Sequence, residues 1–196
     1  MKRIIGLTGG IGTGKSTVSN HLASVHKLPI LDADIYARVA VEPGSAVLSK
    51  IVERYGTDIL LSDRTLNRRR LGEIVFSNLD ERRWLEEQIH PLVRDRLTAE
   101  LNLLSEQYST IVLVVPLLFE AGMTDLVTEI WVVYCSKEQQ MQRLMERDRL
   151  SLEQAQARIN SQMLIEEKCD RASVVLDNSS TLEALIKQVD LALKNA

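Results

Sequence analysis

The sequence predicts an α/β fold built on a parallel sheet. Three observations point there. Short β-branched runs alternate with helical patterns along the chain, the order that parallel strands and their crossovers produce. The best of these runs are apolar without alternation, which marks strands covered on both faces. And five of the nine glycines, Gly6, Gly9, Gly10, Gly12 and Gly14, fall within the first 14 residues, four of them between the first strand and the first helix.

Taken in order, Arg3 to Thr8 (Arg-Ile-Ile-Gly-Leu-Thr) reads as a buried strand. A helix is expected over 15–27, with Val18, Leu22 and Val25 on one stripe. Pro29-Ile-Leu-Asp32 reads as a second strand, Ile111 to Val115 as a third, Ile130 to Tyr134 as a fourth and Ser173 to Leu176 as a fifth. The last segment, 180–194, is an amphipathic helix opening on the capping-box pattern Ser180-Thr-Leu-Glu183. Between the second and third strands, 35–108 shows no convincing strand and reads as a helical insertion. Leu85, Ile89, Leu92, Val93, Leu97, Leu101 and Leu104 fall near helical spacing there. Pro91 lacks a backbone donor and disfavours helix at His90, so a break or kink is expected at that step.

Composition narrows the function. The chain has 196 residues, enough for a compact domain with an insertion. The formal charge is −3, from 24 basic and 27 acidic side chains, so no basic excess suits it to nucleic acid. Cys135 and Cys169 are the two cysteines and have no metal-ligand spacing, which fits a reducing cytosol. No apolar run is long enough to span a bilayer, and the N-terminus has no cleavage site for a signal peptide.

Gly9-Gly-Ile-Gly-Thr-Gly14-Lys15-Ser16 matches G-x-x-x-x-G-K-[ST] at every fixed position, in the strand-to-helix context that the motif needs. A loop that wraps a phosphate chain must aim several backbone N–H groups inward, and glycines permit those dihedrals. Lys15 brings a mobile positive charge, Ser16 a hydroxyl for Mg²⁺, and the helix its positive dipole end. Thr8, Ile11 and Val18 read as packing residues. The chain contains neither the Asp-x-x-Gly nor the Asn-Lys-x-Asp of a GTPase switch. The third strand ends in Pro116-Leu-Leu-Phe with Glu120 as the first acid, which argues against a hydrolytic ATPase. A small-molecule kinase remains, in which an acceptor hydroxyl takes the place of water.

Such a kinase needs a base and extra positive charge. Asp32-Ala-Asp34 follows the second strand at the carboxyl edge of the sheet, where α/β ligands bind. In an extended segment the two carboxylates share a face and can hold Mg²⁺-bound water and take the acceptor's proton; an acidic helix cap would explain one of them equally well. Arg143 and Arg147 are four apart on a helix face and, with Arg158, could close over the nucleotide as a lid. A solvated charged helix is the competing reading, because 137–158 holds five basic and four acidic residues.

Leu7-Thr-Gly-Gly-Ile-Gly-Thr-Gly-Lys-Ser-Thr17, Asp32-Ala-Asp-Ile35, Val41-Glu-Pro-Gly44, Ile89-His-Pro-Leu92, Val115-Pro-Leu-Leu-Phe-Glu120 and Asp177-Asn-Ser179 together resemble the dephospho-CoA kinase family, in family order and over nearly the whole chain. The resemblance implies ATP-dependent phosphorylation of the ribose 3′-hydroxyl of dephospho-CoA in the cytoplasm. It implies a three-layer P-loop kinase fold with five parallel strands. The core would be 1–34, 109–137 and 171–196, the helical acceptor-binding insertion 35–108 and the lid 138–170. Gly10, Gly12, Thr13, Gly14, Lys15, Ser16, Thr17, Arg143, Arg147 and Asn178 would bind ATP. Asp34 would be the catalytic base, with Lys15 and Arg143 at the transferring phosphoryl. Asp34, Tyr36, Arg38, His90, Pro91, Leu118 and Glu120 would face the acceptor, although His90 could equally order the bend before proline and Glu120 serve as a helix-start acid. Some relatives carry acids on the strand before Pro-Leu-Leu. Here those positions are Leu113 and Val114, so Mg²⁺ would rely on Ser16, Asp32, phosphates and water. A kinase of another small alcohol or nucleoside monophosphate, or a nucleotide-binding regulator, is the alternative. No nucleic-acid or membrane partner is expected, and the chain is expected to be a monomer or a weak homo-oligomer.

Overall fold

A computed structural model describes residues 2–195. The chain divides into two compact units, one made of the residues up to Asp32 and from Glu100 onward, the other of Ala33–Ala99.

The first unit is built on five parallel strands: β1 (Arg3–Gly9), β2 (Ile30–Asp32), β3 (Thr110–Val114), β4 (Glu129–Tyr134) and β5 (Val174–Asp177). Their order is β2-β3-β1-β4-β5. β1 therefore lies at the centre, paired through Ile5↔Val112 on one side and Leu7↔Trp131 on the other. The strand order reverses at β1, and the crevice beyond its carboxyl end is where such sheets bind ligands.

Period-two alternation decides which helices cover which face. Trp131 and Val133 of β4 join Ile5, Leu7, Val112 and Val114 on one face. There they meet Val18 and Leu22 of α1 (Lys15–Ser24) and Leu185 and Val189 of the C-terminal helix α9 (Leu182–Lys194). Ile130, Val132 and Tyr134 point the other way, toward Phe119 and toward Ile165 and Cys169 of α8 (Ile165–Asp170). The result is three layers. Arg3 fastens the edge of this core: its guanidinium pairs with Glu129 and donates to the carbonyls of Ala192 and Leu193.

Two helix boundaries differ from the sequence expectation. α1 stops at Ser24, because Lys27 takes a left-handed conformation (φ 56°) and Leu28 N–H donates back to the Leu22 carbonyl, 3.1 Å away. Val25, expected on the core stripe, is exposed. The cap of α9 is Thr181, whose hydroxyl accepts from Ala184 N–H; Ser180 lies one residue too early and no Ser180–Glu183 box forms.

The second unit holds α2 (Ala33–Val39), α3 (Ala46–Tyr55), a 3-10 turn (Thr57–Ile59), α4 (Arg68–Ser77) and the start of α5 (Leu79–Gln107). Val47, Leu48 and Ile51 of α3 pack with Ile59, Leu71 and Val75 around a small core of their own. α5 does not break at Pro91 and carries the proline inside it. An interior proline costs about 3 kcal/mol. Buried Val93, Leu97 and Leu101 after it, and Leu85 and Ile89 packed on the unit's core before it, supply apolar burial on both sides that offsets this. Leu92, expected on that stripe, is exposed.

A charged corner closes this unit. Arg54 donates to both oxygens of Glu81 (2.7 and 2.9 Å) and lies over the Trp84 ring at 4.6 Å. Tyr55 OH also donates to Glu81. The Arg54 bond first, and the Tyr55 bond second, hold the Glu81 carboxyl down at about 2. A depressed carboxylate stabilises the fold above its unfolded pKa of about 4.3, and that contribution is lost as pH falls toward the folded value. Glu81→Gln should therefore flatten the loss of stability between roughly pH 4.5 and 2 that the parent protein shows. Urea midpoints measured across that range check this; parallel curves for the two proteins would contradict it.

Among the described residues, no helix is long and apolar enough to cross a membrane.

Candidate active site

The turn after β1 is held open by its own backbone and by three outside side chains. Gly14 caps α1 with φ 102°, a left-handed conformation that an L side chain rarely adopts. Gly9 passes so close to β4 that an added Cβ would strike the Val133 carbonyl oxygen. The Thr13 hydroxyl donates to Gly10 O at 2.8 Å and closes the loop on itself. Asn178, just past β5, donates its side-chain amide to Thr13 O at 2.8 Å. Arg143, on α6 (Lys137–Asp148), donates to Gly12 O at 3.2 Å and to Asn178 O at 3.0 Å. Ile11 N–H donates to the Gln162 side chain at 2.8 Å.

Lys15 folds back along this loop. Its ammonium donates to the carbonyls of Gly9 (3.0 Å) and Gly10 (2.8 Å). Ser16 is exposed in the first turn of α1 and Thr17 is partly buried beside it. The first turn leaves N–H groups without helical acceptors and carries the positive dipole end. A cation and the open first turn of a helix thus meet at the carboxyl end of the central strand, an arrangement suited to an anion. Asp32 ends β2 at the same edge of the sheet. Ser16 and Asp32 are hard oxygen donors of the kind that Mg²⁺ takes, with phosphate and water completing its shell. The positions Leu113 and Val114 are buried in the core, so β3 offers no carboxylate. Thr8 and Val18 are fully buried and Ile11 partly so; the Thr8 hydroxyl donates to Pro116 O.

The remaining predicted residues are carried on other elements. β2 ends at Asp32 and α2 begins at Ala33, so Asp34 stands in a first helical turn. The extended Asp32–Asp34 pair sharing one face does not form, because the helix rotates the second acid away from strand periodicity. Asp34 instead lines a groove of about 290 Å³ inside the second unit. Arg38, Arg68, Leu71, Phe76 and Ile89 also line it. Arg68 donates to Arg38 O, and burial followed by the nearby Arg38 charge lowers its pKa. Tyr36 is on α2, while His90 and Pro91 lie inside α5. Arg147 is mostly exposed and pairs with Asp148, which Arg158 also reaches at 3.2 Å. That shared carboxylate joins α6 to α7 (Leu152–Asn160). Leu118 is fully buried.

Glu120 accepts from Lys168 at 2.8 Å and from Met163 N–H at 2.9 Å. Lys168 is wholly buried, and its ammonium also donates to Pro116 O at 3.0 Å. Removing one partner of a buried pair leaves the other charge uncompensated. Because Glu120 keeps some contact with water, Lys168→Met should cost about 2–4 kcal/mol, read as a lower urea midpoint at unchanged m value. An unchanged midpoint would contradict this.

The sequence reading missed Arg68, Gln162 and Lys168. Arg68 had a signal, the Arg68-Arg-Arg70 run opening an amphipathic helix. Gln162 and Lys168 had none, since their partners Ile11 and Glu120 lie far away in sequence.

The family model described as dephospho-CoA kinase matches residues 3–184. The chain belongs to the dephospho-CoA kinase family. A dephospho-CoA kinase from Trichormus variabilis is 65% identical over 193 residues, covering 98% of this chain and 97% of its own. The crystal structure of a Thermus thermophilus protein superposes with a TM-score of 0.79 at 36% identity, covering 98% of this chain and 97% of its own. A Campylobacter jejuni dephospho-CoA kinase superposes at 0.72 and 30% identity, covering 99% and 96%. The dephospho-CoA kinase family match takes in the loop over 9–17.

Proposed function

We propose that this protein transfers the γ-phosphoryl group of ATP to the ribose 3′-hydroxyl of dephospho-CoA. The observation that carries the reading is the family match across residues 3–184. Phosphoryl transfer needs little covalent help from the protein; positioning and charge neutralisation do most of it. The 9–17 loop wraps the β- and γ-phosphates with backbone N–H groups. Lys15 exchanges its two carbonyl partners for phosphate oxygens. Arg143, already bonded to Gly12 O, adds a second cation near the transferring group. Arg147 and Asn178 complete the nucleotide's surroundings. Mg²⁺, carried on Ser16 and Asp32, supplies charge neutralisation when bound.

Asp34 takes the proton of the acceptor hydroxyl. The groove it shares with Arg38 and Arg68 supports this role. Two guanidinium groups suit the acceptor's diphosphate, and the wall of Leu71, Phe76 and Ile89 suits its less polar arm. Tyr36, His90 and Pro91, carried on α2 and α5 of the same unit, complete the acceptor side; Leu118 is fully buried and Glu120 is taken up by Lys168 and Met163, so both shape the chain instead.

The test is an acceptor panel. With Mg-ATP, dephospho-CoA should drive ADP release and yield a product heavier by one phosphoryl group. Nucleoside monophosphates and simple alcohols should give roughly background rates. Equal rates with a nucleoside monophosphate would overturn the acceptor assignment. Tight ATP binding with no acceptor-stimulated ADP release would point to a nucleotide-binding regulator.

A further inference from the structure

α1 carries a second cluster of chemistry-bearing side chains at the end away from the phosphate loop. His21 lies in its last turn, His26 follows just beyond it, and Asp190 comes from α9. Nε2 of His21 and Nε2 of His26 each sit 2.7 Å from the same oxygen, Asp190 Oδ1. The two rings meet edge to face with centroids 5.2 Å apart. One potential ligand atom from each of the three residues lies within 4.8 Å of the others. The side chains are 13%, 24% and 39% exposed, so an ion could enter and water could reach it.

We propose that His21, His26 and Asp190 form a binding site for a divalent transition-metal ion of the Zn²⁺ type. Two imidazoles and one carboxylate are a donor set for Zn²⁺, Co²⁺, Ni²⁺ or Cu²⁺, whereas Mg²⁺ and Ca²⁺ take oxygen. The ligand positions are set by the core: Val18 and Leu22 of α1 and Leu185 and Val189 of α9 share one buried cluster. The left-handed turn at Lys27 follows His26 directly. Without an ion, each Nε2–H donates to the carboxylate. On binding, each ring proton resides on Nδ1 and the Nε2 lone pair faces the ion. Tetrahedral ligands at about 2.0–2.2 Å from zinc stand roughly 3.4 Å apart. The two N···O separations of 2.7 Å must then open by about 0.7 Å, within reach of a rotation of Asp190, the most exposed of the three. Water fills the remaining position. The ion would join the helix that begins at the phosphate loop to the last helix of the chain.

The test uses the whole chain, stripped of metal and free of nucleotide. Co²⁺ should bind at about one equivalent, with visible d–d bands and no thiolate charge-transfer band. Zn²⁺ at about a hundredfold excess over its Kd should raise the melting temperature by roughly 5 °C or more, and Mg²⁺ should not. His26→Gln and Asp190→Asn should each weaken Co²⁺ binding at least about tenfold, with folded circular dichroism spectra and unchanged turnover under Mg-ATP. Absence of stoichiometric Co²⁺ binding by the parent protein would overturn the site. So would parent-like affinity in both variants, or a thiolate band, which would put the ion on Cys135 or Cys169.

Discussion

Lys15→Ala is expected to lower kcat/KM by roughly 10³-fold or more, about 4 kcal/mol of transition-state stabilisation. The residue's ammonium already lies on the rim of the loop, bonded to Gly9 O and Gly10 O. Those carbonyls repel a phosphate, so the cation matters twice: it neutralises the loop's own dipoles and then the developing charge on the phosphoryl group. Lys15 stands outside the apolar cluster that holds α1 to the sheet. The melting temperature should therefore stay within a few degrees of the parent's. Acceptor-dependent ADP release together with a circular dichroism melt checks both halves. Near-parental turnover would remove the loop from the mechanism.

Asp34→Asn is expected to lower kcat by about 10²–10³-fold while leaving KM for ATP within about twofold. The amide keeps the size and polarity of the carboxylate but cannot accept the acceptor's proton. The competing role for Asp34 is electrostatic: an acid in the first turn of α2 is worth only about 0.3–1 kcal/mol to the helix. That role predicts a small fall in stability and no loss of turnover, so the two are separable. Equal losses in kcat and in apparent Mg-ATP affinity would assign Asp34 to metal binding instead of proton transfer.

Local chemistry explains why the sheet and the loop were legible in advance. The apolar runs at 111–115 and 130–134 became β3 and β4, because a strand covered on both faces cannot carry a polar side chain cheaply. The glycine cluster became the phosphate loop, because the positive φ at Gly12 and Gly14 and the close approach at Gly9 admit little else. The Asp32–Asp34 step was misread as extended, since a helix that starts directly after a three-residue strand leaves no loop to signal it. Of the break or kink expected at Pro91, the break does not occur, for a different reason. Propensity is a weak prior, and burial of Val93, Leu97 and Leu101 outweighs it.

By itself, then, the amino-acid order determined the layered α/β architecture, the cradle for a phosphate chain and the family to which the chain belongs. Each of these rests on residues close together in sequence, where backbone conformation and periodicity act. Only tertiary structure decided that Arg143 and Asn178 brace the loop, that Lys168 is buried against Glu120, that Arg68 joins Asp34 and Arg38 in one groove, and that Asp190 meets two histidines. Those contacts join residues up to 169 positions apart. They arise from packing of finished elements, which no local pattern encodes.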